Sequence, residues 1–221
     1  MICHILTSDR LTCMKATASN STRPISPEQW WRTPCLVAPN VIVSGDLDGA
    51  SLEKFSTQLN ELLEMGVTDI IDVRAEASDE NLVLSLRPDV KYHHIATDDD
   101  GYQQPDAWFE RGVAAALNSI STEEGKIFVH CHMGVNRAPS LAFAILLSLG
   151  YQPVEALKSI REARPIAAMI YALDALDWWQ RSNSVDLETS AHQRDAVYSW
   201  MLENPIDTRW IISKIATSGM R

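Results

Sequence analysis

The chain has 221 residues, 46% hydrophobic and 22% charged, which is enough for one well-filled core with appendages. A net charge of −10 argues against nucleic acid and against anionic membrane surfaces as partners. The four cysteines (Cys3, Cys13, Cys35, Cys131) are too scattered for a disulfide scaffold or a paired C-x-x-C metal site, and they suit a reducing cytoplasm, the expected location.

Residues 1–34 are Ser/Thr/Pro-rich and poorly periodic, and they read as a mobile arm with Trp30 and Trp31 docking at its end. Cys3, His4, Asp9 and Arg10 break up any signal-peptide order at the start. From Cys35 the pattern tightens. Val41 to Val43 reads as a short strand stopped by Ser44-Gly45. Leu52, Phe55, Leu59, Leu62 and Leu63 recur at helical spacing, with Gly66 as a stop. Asp69 to Val73 is a buried-strand pattern, 78–86 a short helix ended by Pro88, and Val90 to Ile95 another strand. Pro105 suits the first turn of a helix reaching Ile120, and Ile127 to His130 is the central strand. Helices are expected over 137–149, 153–163 and 167–181, parted by Pro153 and Pro165. After a polar stretch at 182–188, Ala196, Val197, Trp200, Met201, Trp210, Ile211 and Ile215 give a helical tail. The apolar run Leu141–Leu149 is far too short to span a bilayer, so no membrane insertion is expected. Alternating strands and helices followed by a helical part predict an α/β sandwich on one sheet.

The most informative segment is Val129 to Ser140, which contains H-C-x-x-G-x-x-R. A free thiol titrates near 8.5, but backbone N–H groups at a helix N-terminus and a nearby guanidinium favour the thiolate. The same donors suit a phosphoryl dianion. Gly134 permits a tight backbone path, and Arg137 offers a planar fork for two phosphoryl oxygens. By average residue frequencies the motif arises by chance in roughly one such chain in several thousand. Here it also falls between a strand and a helix, where the chemistry needs it. The bland alternative is a buried cysteine at an ordinary turn.

Val129 to Ser140 resembles the active-site loop of the cysteine-dependent dual-specificity protein phosphatases, within the protein tyrosine phosphatase superfamily. The likeness extends over about 35–182 and includes Pro39 to Gly45, Met65 to Ile71 and Arg164-Pro165. It implies a three-layer α/β sandwich of protein tyrosine phosphatase type, with one central mixed sheet flanked by helices; the helical tail over 183–221 reads as a C-terminal extension beyond the likeness. It implies a phosphocysteine mechanism without metal or cofactor, with Cys131 as nucleophile and Arg137 as phosphate clamp. His132, Met133, Gly134, Val135, Asn136 and Arg137 would cradle the phosphate, and His130 would support Cys131.

The resemblance also calls for a carboxylic acid on a loop upstream. Asp98, Asp99 and Asp100 stand together there. Spacing to Cys131 and to the helix holding Phe109 favours Asp99. One departure stands out: Ala138 follows the arginine where most relatives carry Ser or Thr. Losing that hydroxyl removes a donor to the departing sulfur, of order 1–3 kcal/mol, so slower hydrolysis of a phosphoenzyme is expected. Ser140, two positions on, is expected to point elsewhere.

Other residues invite functional readings. His93-His94 and His130-Cys131-His132 are adjacent pairs on strands, a poor arrangement for chelation, so no metal is expected. Arg74 fits an ion pair better than a substrate contact. Trp178, Trp179, Trp200 and Trp210 fit core or tail-docking positions, and Cys35 has no assigned role. None of His132, Met133, Val135 and Asn136 is Lys or Arg, which favours singly phosphorylated proteins or peptides bearing phosphotyrosine, phosphoserine or phosphothreonine. The rival readings are a phosphoinositide or small-molecule phosphatase and a catalytically weak phospho-binding module. A rhodanese-type sulfur transferase is disfavoured by His130 and by the spacing to Arg137.

Overall fold

A computed structural model describes residues 30–218. After a 3-10 turn at Trp30–Arg32 the elements run β1 (Cys35–Ala38), β2 (Val41–Ser44), α1 (Leu52–Glu64), β3 (Asp69–Arg74), α2 (Glu80–Leu86), β4 (Lys91–Thr97), α3 (Asp106–Ile120) and β5 (Ile127–His130). The helices α4 (Arg137–Ser148), α5 (Pro153–Ala163), α6 (Ala172–Ser182), α7 (Leu187–Glu203) and α8 (Thr208–Ser218) follow. The strands form one mixed sheet in the order β1-β2-β5-β3-β4. β1 is antiparallel to β2, and β2, β5, β3 and β4 are parallel to one another.

Residue alternation along the strands sorts the core into two faces. Ile42, Ile70 and Phe128 meet Phe55, Leu59 and Leu62 of α1 and Val83 of α2. Val41, Val43, Ile71, Val73, Ile127 and Val129 face the other way, towards Trp108 and Phe109 of α3 and the apolar side chains of α4. The result is the three-layer α/β sandwich that the resemblance implied. Eleven residues of α4, Arg137 through Leu147, are buried, which suits a helix apolar on nearly every side. It is enclosed by α3, α5 and α6. The strand ends thus direct four loops, after β2, β3, β4 and β5, to one edge of the sheet near the N-terminus of α4. Ligands of open α/β sheets bind at this end of the strands.

Several boundaries differ from the sequence pattern. β1 was not apparent, because Cys35–Ala38 is short and only half buried. The helix expected from 167 starts at Ala172, since Met169 has φ +54 and the amide of Ile170 donates to Asn136 Oδ1 at 2.8 Å rather than to a helical carbonyl. Of the arm drawn over 1–34, residues 1–29 lie outside the described residues. At the end of the arm Trp31 is docked, as expected there: it is buried, and its carbonyl accepts from Gly45 N at 3.0 Å and Arg164 Nη2 at 2.6 Å. The tail folds as α7 and α8. Val197 and Trp200 of α7 join the main core, whereas Ile211 and Ile215 of α8 pack with Trp31, Val135 and Ala168. No helix among the described residues is long and apolar enough to cross a membrane.

Candidate active site

The loop from Cys131 to Asn136 leaves β5 and enters α4. Cys131 is 2% exposed, and its Sγ accepts from Gly134 N at 3.3 Å. That N–H is aimed by its own peptide unit. A trans peptide directs C=O and N–H in opposite directions, and the Met133 carbonyl at the far side accepts from Arg164 Nη2 at 3.0 Å. In the next unit the Gly134 carbonyl accepts from Arg164 Nε at 2.5 Å, which turns Val135 N–H away from Arg164. The carbonyls of His132 and Val135 are likewise taken from outside the loop, by Asp46 N at 3.0 Å and Ala168 N at 2.6 Å. The bowl of amides is therefore held by what grips its carbonyls from behind.

Arg164 is the centre of that grip. It is 2% exposed and also donates to the Trp31 carbonyl at 2.6 Å and, through Nη1, to the Thr33 carbonyl at 3.2 Å. Burial lowers its pKa, so its charge is tolerated only because carbonyl dipoles surround it. Cys35 lies 3.5 Å from Nη1 as a free thiol. Gly134 has φ +62, and a Cβ there would meet Arg164 Nη2 at 2.3 Å and the Ser44 carbonyl carbon at 2.4 Å. Both conformation and space therefore demand glycine.

Arg137, 4% exposed, begins α4. Its Nη1 and Nη2 donate to Glu76 Oε2 and Oε1 at 2.7 and 2.6 Å, and Nη1 also donates to the Thr97 carbonyl at 3.0 Å. Burial opposes the guanidinium charge, but the hydrogen bonds to Glu76 outweigh it and raise the Arg137 pKa. The same hydrogen bonds hold the Glu76 carboxyl at about 2. Among the described residues Arg137 Nε has no hydrogen-bond partner, and it faces Asp99 Oδ2 at 3.5 Å.

Of the three neighbouring aspartates, Asp99 is the one joined to the loop. Its Oδ1 accepts from Asn136 Nδ2 at 2.5 Å and from Tyr171 Oη at 2.9 Å. Asp100 instead accepts from Tyr102 N, and the Asp98 backbone carbonyl accepts from Gln104 Nε2. Cys131, Gly134, Asn136, Arg137 and Asp99 are thus gathered in one place. His132 stands at the rim, with Nδ1 2.8 Å from Asp46 Oδ2, a contact that raises its pKa. Met133 and Val135 pack outwards with Trp31, Ile211 and Ile215. Ser140 Oγ points to Asn136 Oδ1 at 3.4 Å.

His130 lies elsewhere. Its ring stacks on Phe128 with centroids 5.1 Å apart, and among the described residues neither ring nitrogen has a hydrogen-bond partner. Burial lowers its pKa and favours the neutral ring. Beside it, Asp72 and Asp79 complete a trio close enough to hold a metal ion. Arg74 fills that place, with Nη2 2.8 Å from Asp72 Oδ2 and 2.7 Å from Asp79 Oδ2. Arg74 thus forms the structural ion pair that its sequence position favoured.

Sequence reasoning did not single out Glu76, Asp46 or Tyr171, and noted Arg164 only as part of the family resemblance. A signal existed for Arg164 alone: a tight loop of buried carbonyls needs a multivalent donor, and an arginine just ahead of Pro165 at a helix end was available. Trp178 and Trp200 are in the core, while Trp210 is exposed.

The match to known proteins concerns this same region. The family model described as the dual specificity phosphatase catalytic domain matches residues 52–172. The chain belongs to the dual-specificity phosphatase family. Dual specificity protein phosphatase 13B of Homo sapiens is 27% identical over 124 residues, covering 53% of this chain and 63% of that protein. The chain thus spans under two thirds of that curated relative's length. Among solved structures, human DUSP28 superposes with a TM-score of 0.55 at 19% identity, covering 68% of this chain and 95% of that one. PTPMT1 in complex with PI(5)P gives a TM-score of 0.55 at 16% identity, covering 67% and 95%. Both likenesses are of fold, and about a third of this chain lies outside each.

Proposed function

We propose that the protein is a cysteine-dependent phosphatase that hydrolyses phosphotyrosine, phosphoserine or phosphothreonine monoesters on proteins or peptides. Cys131 attacks phosphorus, Arg137 clamps the phosphoryl oxygens beside the amides of 132–137, and Asp99 protonates the leaving oxygen and then serves as base toward water. His130 contributes by holding the end of β5. The observation that carries this reading is the convergence of the Gly134 N–H on Cys131 Sγ with Asp99, alone of three aspartates, tied to the same loop. The exposure of the Asp99 side chain, 38%, favours an open and permissive site. No metal or cofactor enters any step.

A second reading, a phosphoinositide phosphatase, is favoured by two observations: the PTPMT1 complex with PI(5)P has a similar fold, and His132, whose pKa Asp46 raises, can place a positive charge at the rim. A panel of phosphotyrosine, phosphoserine and phosphothreonine peptides against phosphoinositides decides between them. Higher kcat/KM on peptides is expected; a clear preference for phosphoinositides would overturn the protein-substrate reading. A phospho-binding module, suggested by Ala138, predicts no phosphate release from any of them.

A further inference from the structure

We propose that Asn136 and Tyr171 are positioning residues for Asp99, fixing Oδ1 as an acceptor and leaving Oδ2 as the oxygen that carries the proton. The inference rests on the reading of Asp99 as the acid and deepens it.

Two neighbouring contacts settle the donor directions. Asn136 Oδ1 accepts from Ile170 N at 2.8 Å and lies 3.4 Å from Ser140 Oγ. The amide therefore turns its NH2 group to Asp99, and the flipped orientation would set two donors, Asn136 Nδ2 and Ile170 N–H, against each other. The Tyr171 hydroxyl oxygen accepts from Gly101 N at 3.1 Å, which frees its own hydrogen for Asp99. Burial is the main reason its pKa is pushed up to about 12, so the phenol keeps that hydrogen. Both donors converge on Oδ1. Among the described residues no hydrogen bond reaches Oδ2, which faces Arg137 Nε at 3.5 Å, beyond hydrogen-bond distance.

An oxygen that accepts two hydrogen bonds is a poor place for a proton, because a hydroxyl there would oppose two donors. When Asp99 holds a proton, Oδ2 is accordingly the oxygen that carries it. In the first step the Cys131 thiolate forms the S–P bond as the P–O bond to the leaving group breaks, and the Oδ2 proton passes to the leaving oxygen. In the second, water attacks phosphorus and gives its proton to Oδ2, and the S–P bond breaks to restore the thiolate. Tyr171 sits just before α6 and Asn136 just before α4. Through them the exposed acid loop is tied to two buried helices.

The test is kcat/KM on two aryl phosphates: 4-nitrophenyl phosphate, whose phenolate leaves readily, and phenyl phosphate, whose phenol is as weak an acid as tyrosine, about 10. Tyr171→Phe, which removes one oxygen, and Asn136→Ala are each expected to lower kcat/KM on phenyl phosphate about tenfold and on 4-nitrophenyl phosphate less than about threefold. The ratio of the two rates on one preparation is independent of the fraction folded. In an Asp99→Asn background neither substitution should change that ratio further. Equal losses on both substrates, or an undiminished effect beside Asp99→Asn, would overturn the positioning role. If Asp99→Asn alone leaves the ratio unchanged, the reading of Asp99 as the acid fails, and this inference fails with it. If Asp99→Asn changes the ratio but the other two do not, only the inference is lost.

Discussion

The floor of the site, residues 131–137, is mostly buried and held through its backbone, whereas the facing wall, residues 97–101, is mostly exposed and tied down by side chains. On the floor, four successive carbonyls are taken from behind by Arg164, Asp46 N and Ala168 N. On the wall, Asp99 depends on two hydrogen bonds, from Asn136 and Tyr171. A buried backbone scaffold changes as a unit when one support goes. A side-chain tether can be cut one atom at a time. In the proposed mechanism the phosphate cradle is therefore preorganised, and proton transfer is the adjustable part of the reaction.

The sharpest way to break this contrast is to remove the support behind the floor. Arg164→Met keeps apolar volume but strands the carbonyls of Met133 and Gly134, each a group whose unmet hydrogen bond costs about 1–3 kcal/mol, and leaves the Trp31 carbonyl with Gly45 N. Thermal unfolding should show a loss of several degrees, and aryl phosphate turnover should fall for good and poor leaving groups alike. Unchanged stability with selective loss on poor leaving groups would reverse the roles given to floor and wall. A smaller effect comes from the floor's own missing hydroxyl. Ala138 lies fully buried as the second residue of α4, and Ala138→Ser supplies the hydroxyl that the family resemblance calls for after the arginine. Rapid-quench kinetics should show phosphoenzyme hydrolysis accelerated several-fold, up to about tenfold. No accumulation of phosphoenzyme in the parent protein, and no change on substitution, would remove the significance of Ala138.

The contrast also explains what the sequence disclosed. The floor is contiguous: Cys131, Gly134 and Arg137 lie within seven residues, and a strand-loop-helix pattern frames them, so their joint placement was legible. Spacing favoured Asp99 among three aspartates, and of the three it is Asp99 whose carboxylate contacts Asn136 and Tyr171. Beyond the arginine ahead of Pro165 and the docking expected of Trp31, the supports were not legible. Arg164, Trp31, Asp46 and Glu76 come from loops and helix ends far apart in the chain, and only tertiary packing brings them together. The same holds for Met169: its positive φ, set beside the Asn136–Ile170 contact, shortened a helix that periodicity alone extended. The tail had the right helical spacing, but nothing in that spacing indicates that Ile211 and Ile215 back the outer face of the loop at Val135. Burying each isoleucine is worth about 1.5–3 kcal/mol, so α8 is part of what holds the floor.

The central claim is that Cys131 carries the phosphoryl group between substrate and water. It is tested most directly by acid-quenching the protein within milliseconds of mixing with a labelled aryl phosphate and locating the label by peptide mapping. The account predicts an acid-trapped phosphate on the peptide containing Cys131, absent in Cys131→Ser together with all turnover. Turnover that persists in Cys131→Ser would contradict it.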